Sequence, residues 1–225
     1  MWEDPLADPP FTLSFSGAVI ILTENYIVPT LQDAQTGEFK RSFWHDAPVQ
    51  AVLLDRTADS LFTGCDDGII RNWETHTGAC VANYLGHEGP IKDIVLNREE
   101  TKLYTAGEDK IIRKWQVPNG KFTGTYEGHN GSVTSITMNW AETRIFSGSA
   151  DGTLKIWDEG SGSCLFTVNV GSPVAKVMVT RDGETVVAGC RNGKIVIFNG
   201  FTGDPIREFV GHTAGRERSA ISGLA

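Results

Sequence analysis

The chain has 225 residues, 40% of them apolar, with 11 Phe and 6 Trp, enough for a sizeable core in one large domain or two small ones. Charged residues make up 21% and are mixed with apolar ones, which excludes a disordered chain, and the net charge of −8 makes a nucleic-acid phosphate backbone a poor partner. No apolar run reaches the ~18 residues of a membrane span, and 25 Gly point to many turns.

Taken in chain order, the segments repeat. Asn25-Tyr26-Ile27-Val28-Pro29-Thr30-Leu31 is a degenerate first copy of a motif that sharpens at Asp67-Gly68-Ile69-Ile70-Arg71-Asn72-Trp73. It recurs as Asp109-Lys110-Ile111-Ile112-Arg113-Lys114-Trp115 and as Asp151-Gly152-Thr153-Leu154-Lys155-Ile156-Trp157. It then decays to Asn192-Gly193-Lys194-Ile195-Val196-Ile197-Phe198. Counting from Asn25 through Asp67 and Asp109 to Asp151, each copy begins 42 residues after the last; Asn192 follows after 41. A fixed period of this size marks a repeat architecture.

Each unit reads as four short strands. In the fourth, Val133–Asn139, Arg144–Ser149, Leu154–Trp157 and Cys164–Val168 alternate apolar and polar residues between Gly/Asp/Asn turns, the hairpin pattern. A lone four-stranded sheet cannot bury both faces, but radial stacking of such sheets can. The units fall at about 7–43, 45–84, 87–126, 129–168 and 174–210, with a partial sixth at 212–225. Gly211-His212 opens that sixth unit, and Ile221 and Leu224 match the spacing of Val49/Val52, Ile91/Ile94, Val133/Ile136 and Val174/Val177.

Gly86-His87, Gly128-His129 and Gly211-His212 near unit starts, with Trp44-His45 as a variant and Trp157-Asp158 near a unit end, resemble the WD40 repeat family. Trp73-Glu74 and Trp115-Gln116 keep only the Trp. The resemblance covers about residues 11 to 225. It implies an all-β WD40 propeller in one domain, with five recognisable blades plus the start of a sixth. Because rings in this family usually hold seven blades, the chain is expected to be a sector of a larger ring. An open sector exposes apolar faces and an unpaired strand edge, so oligomerisation or assembly into a complex is expected.

His45, Thr63, Asp67 and Trp73 stand at offsets repeated by His87, Thr105, Asp109 and Trp115, and again by His129, Ser147, Asp151 and Trp157. The resemblance implies a buried relay in each set: indole to hydroxyl, hydroxyl to His, His to the turn Asp. A Ser147–His129–Asp151 hydrolase triad is the competing reading. The threefold repetition, the free exchange of Thr for Ser and a Trp donor occupying the hydroxyl all argue against it. No enzyme activity, cofactor or metal is expected; a zinc site would have to strip His from the sets. Gly189-Cys190-Arg191-Asn192-Gly193-Lys194 has one residue too few for a phosphate-binding loop and no following helix, so it reads as a turn.

Two surfaces are candidates for partners. Asp46, Asp66, Glu88 and Glu108 fall on the end that carries the Gly-His loops and Asp-Gly turns, as a dock for a basic peptide. Asp66 and Glu108 sit beside the turn Asp at a position expected to be exposed, held by Glu24, Ala150 and Arg191 in the other units, and Asn130 and Thr213 follow later His slots. At the opposite end, Arg56, Arg98, Trp140 and Arg181 occupy equivalent turns, a combination common in binding hot spots.

The expected function is a non-catalytic interaction scaffold or adaptor for protein or peptide partners, with no nucleic acid and no membrane. A ubiquitin-ligase substrate receptor is the alternative. It is weakened because Trp73-Glu74-Thr75-His76, Trp115-Gln116-Val117-Pro118 and Trp157-Asp158-Glu159-Gly160 lack the Arg that such receptors often carry. Met1-Trp2-Glu3-Asp4-Pro5 has no basic or apolar leader pattern, and Cys65, Cys80, Cys164 and Cys190 form no CxxC pair. Free thiols and an intracellular location are expected, with the Asn130-Gly131-Ser132 sequon inert.

Overall fold

A computed structural model describes residues 11–13, 19–24 and 27–210. Among them there is no helix, and the strands form five four-stranded antiparallel sheets, each in simple up-and-down order. Blade 1 holds β1 (Phe11–Leu13), β2 (Val19–Glu24), β3 (Val28–Asp33) and β4 (Phe39–Ser42). Blade 2 holds β5 (Val49–Leu54), β6 (Ser60–Cys65), β7 (Ile70–Glu74) and β8 (Cys80–Tyr84). Blade 3 holds β9 (Ile91–Leu96), β10 (Lys102–Gly107), β11 (Ile112–Gln116) and β12 (Lys121–Tyr126). Blade 4 holds β13 (Val133–Met138), β14 (Arg144–Ser149), β15 (Thr153–Asp158) and β16 (Cys164–Asn169). Blade 5 holds β17 (Val174–Val179), β18 (Thr185–Cys190), β19 (Lys194–Asn199) and β20 (Pro205–Val210). The sixth-unit residues His212, Thr213, Ile221 and Leu224 lie outside the described residues, as do Asn25, Tyr26 and the Glu24 side chain.

The first strands pack in chain order, β1 on β5, β5 on β9, β9 on β13 and β13 on β17. Among the described residues no contact of that extent joins β17 back to β1. The core lies between blades because the sheets of blades 2, 3 and 4 are apolar on both faces: Phe62, Ile70 and Tyr84 of blade 2 meet Ile91, Leu103 and Trp115 of blade 3. Phe146, Leu154 and Ile156 of blade 4 meet Val174, Val186 and Phe198 of blade 5 in the same way. Aromatic edges lock the joints. Tyr84 meets Trp115 at 6.0 Å and 88°, and Tyr126 meets Trp157 at 6.0 Å and 71°, the edge-to-face geometry that aligns the ring quadrupoles.

Close approach of neighbouring blades needs glycine in the second strands of blades 2 and 4, at Gly64 and Gly148. A Cβ on Gly64 would sit 2.5 Å from Ile91 Cγ2 and 2.8 Å from its Cβ, so only glycine lets β9 pack this tightly.

Candidate functional site

In blades 3 and 4 the four repeated residues meet at one end of the sheet. The second strand brings the hydroxyl, the third brings the Trp, and the turn between them brings the Asp. His arrives from the loop before the first strand. Trp115 Nε1 donates to Thr105 Oγ1 at 2.9 Å, and that oxygen lies 2.8 Å from His87 Nε2. His87 Nδ1 is 3.0 Å from Asp109 Oδ2. Blade 4 repeats this with Trp157 Nε1 to Ser147 Oγ at 2.8 Å, Ser147 Oγ to His129 Nε2 at 2.8 Å and His129 Nδ1 to Asp151 Oδ2 at 3.1 Å.

Protons can be assigned along the chain of contacts. In blade 4 Asp151 accepts, so Nδ1 of His129 carries the hydrogen and Nε2 accepts from the Ser147 hydroxyl, whereas in blade 3 His87 Nδ1 also faces Arg113 Nη1 at 2.7 Å. The hydroxyl then receives the indole N–H on its lone pair. Thr105 and Ser147 are fully buried and so are committed on both sides. The carboxylates close the loop entrance as well: Asp109 Oδ2 accepts from Glu88 N at 3.1 Å, and Asp151 Oδ2 from Asn130 N at 2.8 Å.

Burial alone would raise the carboxyl of Asp109, but His87, the Glu88 N–H and Arg113 outweigh it and hold the group well below the carboxylate range. For Asp151 burial is likewise outweighed, by Thr153, the Asn130 N–H and His129. Burial pushes His129 below its ordinary 6.5, with the pull of Asp151 overcome.

Blade 2 departs from the expected relay. His45 Nε2 meets Thr63 Oγ1 at 2.8 Å and Trp73 Nε1 donates to Thr63 at 3.0 Å, but His45 Nδ1 donates to the Phe43 carbonyl at 3.0 Å. No hydrogen bond joins His45 to Asp67, whose carboxylate instead takes Arg71 Nη2 at 2.7 Å. The reason lies one residue before the His. Gly86 and Gly128 enter their blades with φ of 150° and 140°, a region that side chains avoid, whereas blade 2 has Trp44 in that place. The chain therefore enters by another path, which turns the Phe43 carbonyl onto the imidazole. Blade 5 has no relay: Val170, Ala188 and Phe198 hold the His, hydroxyl and Trp places, and all three are buried.

The acidic end is less uniform than its sequence suggests. Asp46 and Glu88 are exposed and neither carboxylate has an ion-pair partner among the described residues. Glu108 is exposed but faces Lys92 Nζ at 3.3 Å. Asp66 corrects the expectation of an exposed carboxylate: it is half-buried, with Oδ1 sealed from solvent. At the opposite end, Trp140 is 44% exposed, with Arg98 and Arg181 stacked on its ring at 4.5 and 4.0 Å from the centroid. Arg56 lines the same hollow.

One ionic joint was not foreseen from sequence. Glu159, in the turn after β15, receives Lys102 Nζ at 3.1 Å, Lys114 Nζ at 2.5 Å and the Tyr104 hydroxyl at 2.5 Å, all from blade 3. Burial works against its charge, but the two lysines and the tyrosine hold its carboxyl below the usual range. All four cysteines are free thiols, Cys65 and Cys190 buried, Cys80 and Cys164 exposed.

Blades of four antiparallel strands with His–hydroxyl–Trp contacts repeated at one end define a WD-repeat propeller sheet. The family model described as "WD domain, G-beta repeat" matches residues 37–74, 78–116 and 120–158, just over half of the chain, so the chain belongs to the WD40 family. These three matches contain all twelve residues of the repeated sets. The comparison with curated proteins finds no match.

Proposed function

We propose that the chain is a non-catalytic scaffold or adaptor whose loop ends dock protein partners, one of them through a basic segment. The observation that carries this reading is the double commitment of each hydroxyl. Ser147 Oγ is fully buried, accepts from Trp157 at 2.8 Å and faces His129 Nε2 at 2.8 Å, so it is closed off from an approaching substrate. WD40 repeats generally mediate protein–protein interactions, and the exposed, unpaired carboxylates of Asp46 and Glu88 offer a basic side chain something to bind. The four free thiols support a reducing, intracellular setting.

The test uses fluorescence anisotropy with a labelled peptide rich in Lys and Arg. Binding should weaken with added salt, and Asp46→Lys with Glu88→Lys should weaken it by about tenfold or more without lowering the melting temperature. Equal binding by the wild-type and doubly reversed chains would overturn the basic-peptide dock.

A further inference from the structure

The hollow at the opposite end carries its own chemistry. Its walls come from four consecutive blades: Arg56 of blade 2, Leu96 and Arg98 of blade 3, Met138 and Trp140 of blade 4, Val179 and Arg181 of blade 5. It holds about 410 Å³, and a second hollow of about 290 Å³ shares Arg56, Leu96 and Arg98 with it. The chain as a whole is acidic, at −8, yet this mouth gathers three guanidinium groups around an exposed indole and an apolar floor.

Those guanidinium groups are unspent. Among the described residues none of Arg56, Arg98 and Arg181 forms a side-chain ion pair. Glu100, Glu142 and Asp182 take backbone, amide and hydroxyl donors instead, and Asp55 Oδ1, beside Arg56, is sealed from solvent without a hydrogen-bond partner. Glu100 Oε1 accepts from the Arg56 backbone N at 2.7 Å, and Glu142 accepts from the Arg98 backbone N and from Asn97 Nδ2 at 3.3 Å. Asp182 Oδ1 accepts from the Thr180 hydroxyl at 2.5 Å and from Glu184 N at 2.9 Å. The cation–π contacts of Arg98 and Arg181 with Trp140 restrain both guanidinium groups without using their N–H donors in an ion pair. A side chain held in place before binding loses less entropy on binding.

We propose that this mouth docks an acidic segment of a partner protein, its carboxylates on Arg56, Arg98 and Arg181 and an apolar side chain against Leu96, Met138 and Trp140. The proposal rests on the reading of the chain as an interaction module, and is independent of the acidic end. A polynucleotide would also present anions to the arginines. Its backbone would meet the repulsion of the whole chain, and it has no aliphatic side chain for the floor.

The experiment pans random dodecapeptides on the full chain, on Arg98→Glu/Arg181→Glu, and on Asp46→Lys/Glu88→Lys, with melting temperatures measured for all three. Wild type should enrich clones that combine Asp and Glu with a large apolar residue. Those clones should bind the arginine variant about tenfold or more weakly and the acidic-end variant unchanged. Trp140→Leu, which keeps an apolar surface but removes the stacking platform, should weaken the same clones to a smaller degree. Failure to enrich acidic clones, or enrichment that survives Arg98→Glu/Arg181→Glu, would overturn the proposal. So would tighter binding of a labelled oligothymidylate than of the acidic clones at the same site. Loss of basic clones on the acidic-end variant alone reports on the other dock and leaves this one standing.

Discussion

Blades 4 and 5 solve the same burial problem in opposite ways. Blade 4 buries Ser147, His129 and Trp157 together and satisfies each polar atom with the next. Blade 5 fills the equivalent places with Ala188, Val170 and Phe198 and has no polar atom to satisfy. The difference teaches that the polar set works as a unit. Removing one member orphans its neighbours, whereas replacing all of them removes the need for partners. Blade 2 stands between the two, keeping His45, Thr63 and Trp73 in contact while Asp67 goes to Arg71.

The largest effect that could break this comparison is His129→Ala. It empties a buried site, strips Ser147 of its acceptor and leaves Asp151 with less support, so unfolding free energy should fall by about 3 kcal/mol. His45→Ala should cost about 1 kcal/mol less in the same urea titration, because Asp67 keeps Arg71. Equal losses at the two positions would mean that the carboxylate adds nothing.

The pH profile sharpens it further. His45 and His129 are both held below the ordinary 6.5, chiefly by burial, so the unfolded chain binds protons that the folded chain refuses. Stability from this source is full at neutral pH and is lost as pH falls through 6.5 toward the folded values. Asp109 and Asp151 lie below their ordinary 3.8, so their contribution is present above that value and disappears as pH falls below it. Melting temperature should therefore drop in two stages on acidification. A profile flat between about pH 7 and pH 5 would contradict the buried, neutral histidines.

The smallest effect is at the joint between blades 3 and 4. Glu159→Gln removes the charge that Lys102 and Lys114 share and should cost about 1 kcal/mol, screened in part by salt because Lys102 is half-exposed. A loss that matches His129→Ala would shift the account from the sets within blades to the joints between them.

Much of the architecture was legible because the repeat repeats its chemistry. The 42-residue return of Asp-x-x-x-x-x-Trp places the turns and third strands, and β14 begins and ends at the Arg144 and Ser149 read from alternation. What the sequence hid depends on geometry between units. Trp44 in place of a glycine was visible, but its effect on the Phe43 carbonyl follows from a φ angle that only the fold reveals. Glu159 meets Lys102 from 57 residues away, a distance at which no local pattern couples them. Asp66 was read as exposed from its turn position, but folding seals one of its oxygens from solvent.

The central claim is that Ser147 is a structural acceptor and not a nucleophile, and urea unfolding of three proteins tests it most directly. Ser147→Ala alone leaves Trp157 Nε1 and His129 Nε2 buried without partners and should lose about 3 kcal/mol. The triple change His129→Val, Ser147→Ala and Trp157→Phe, which gives blade 4 the residues of blade 5, should lose at least about 2 kcal/mol less than the three single losses added together. Wild type should hydrolyse no ester substrate. A Ser147→Ala protein as stable as wild type, from which a measurable esterase activity has vanished, would contradict the account.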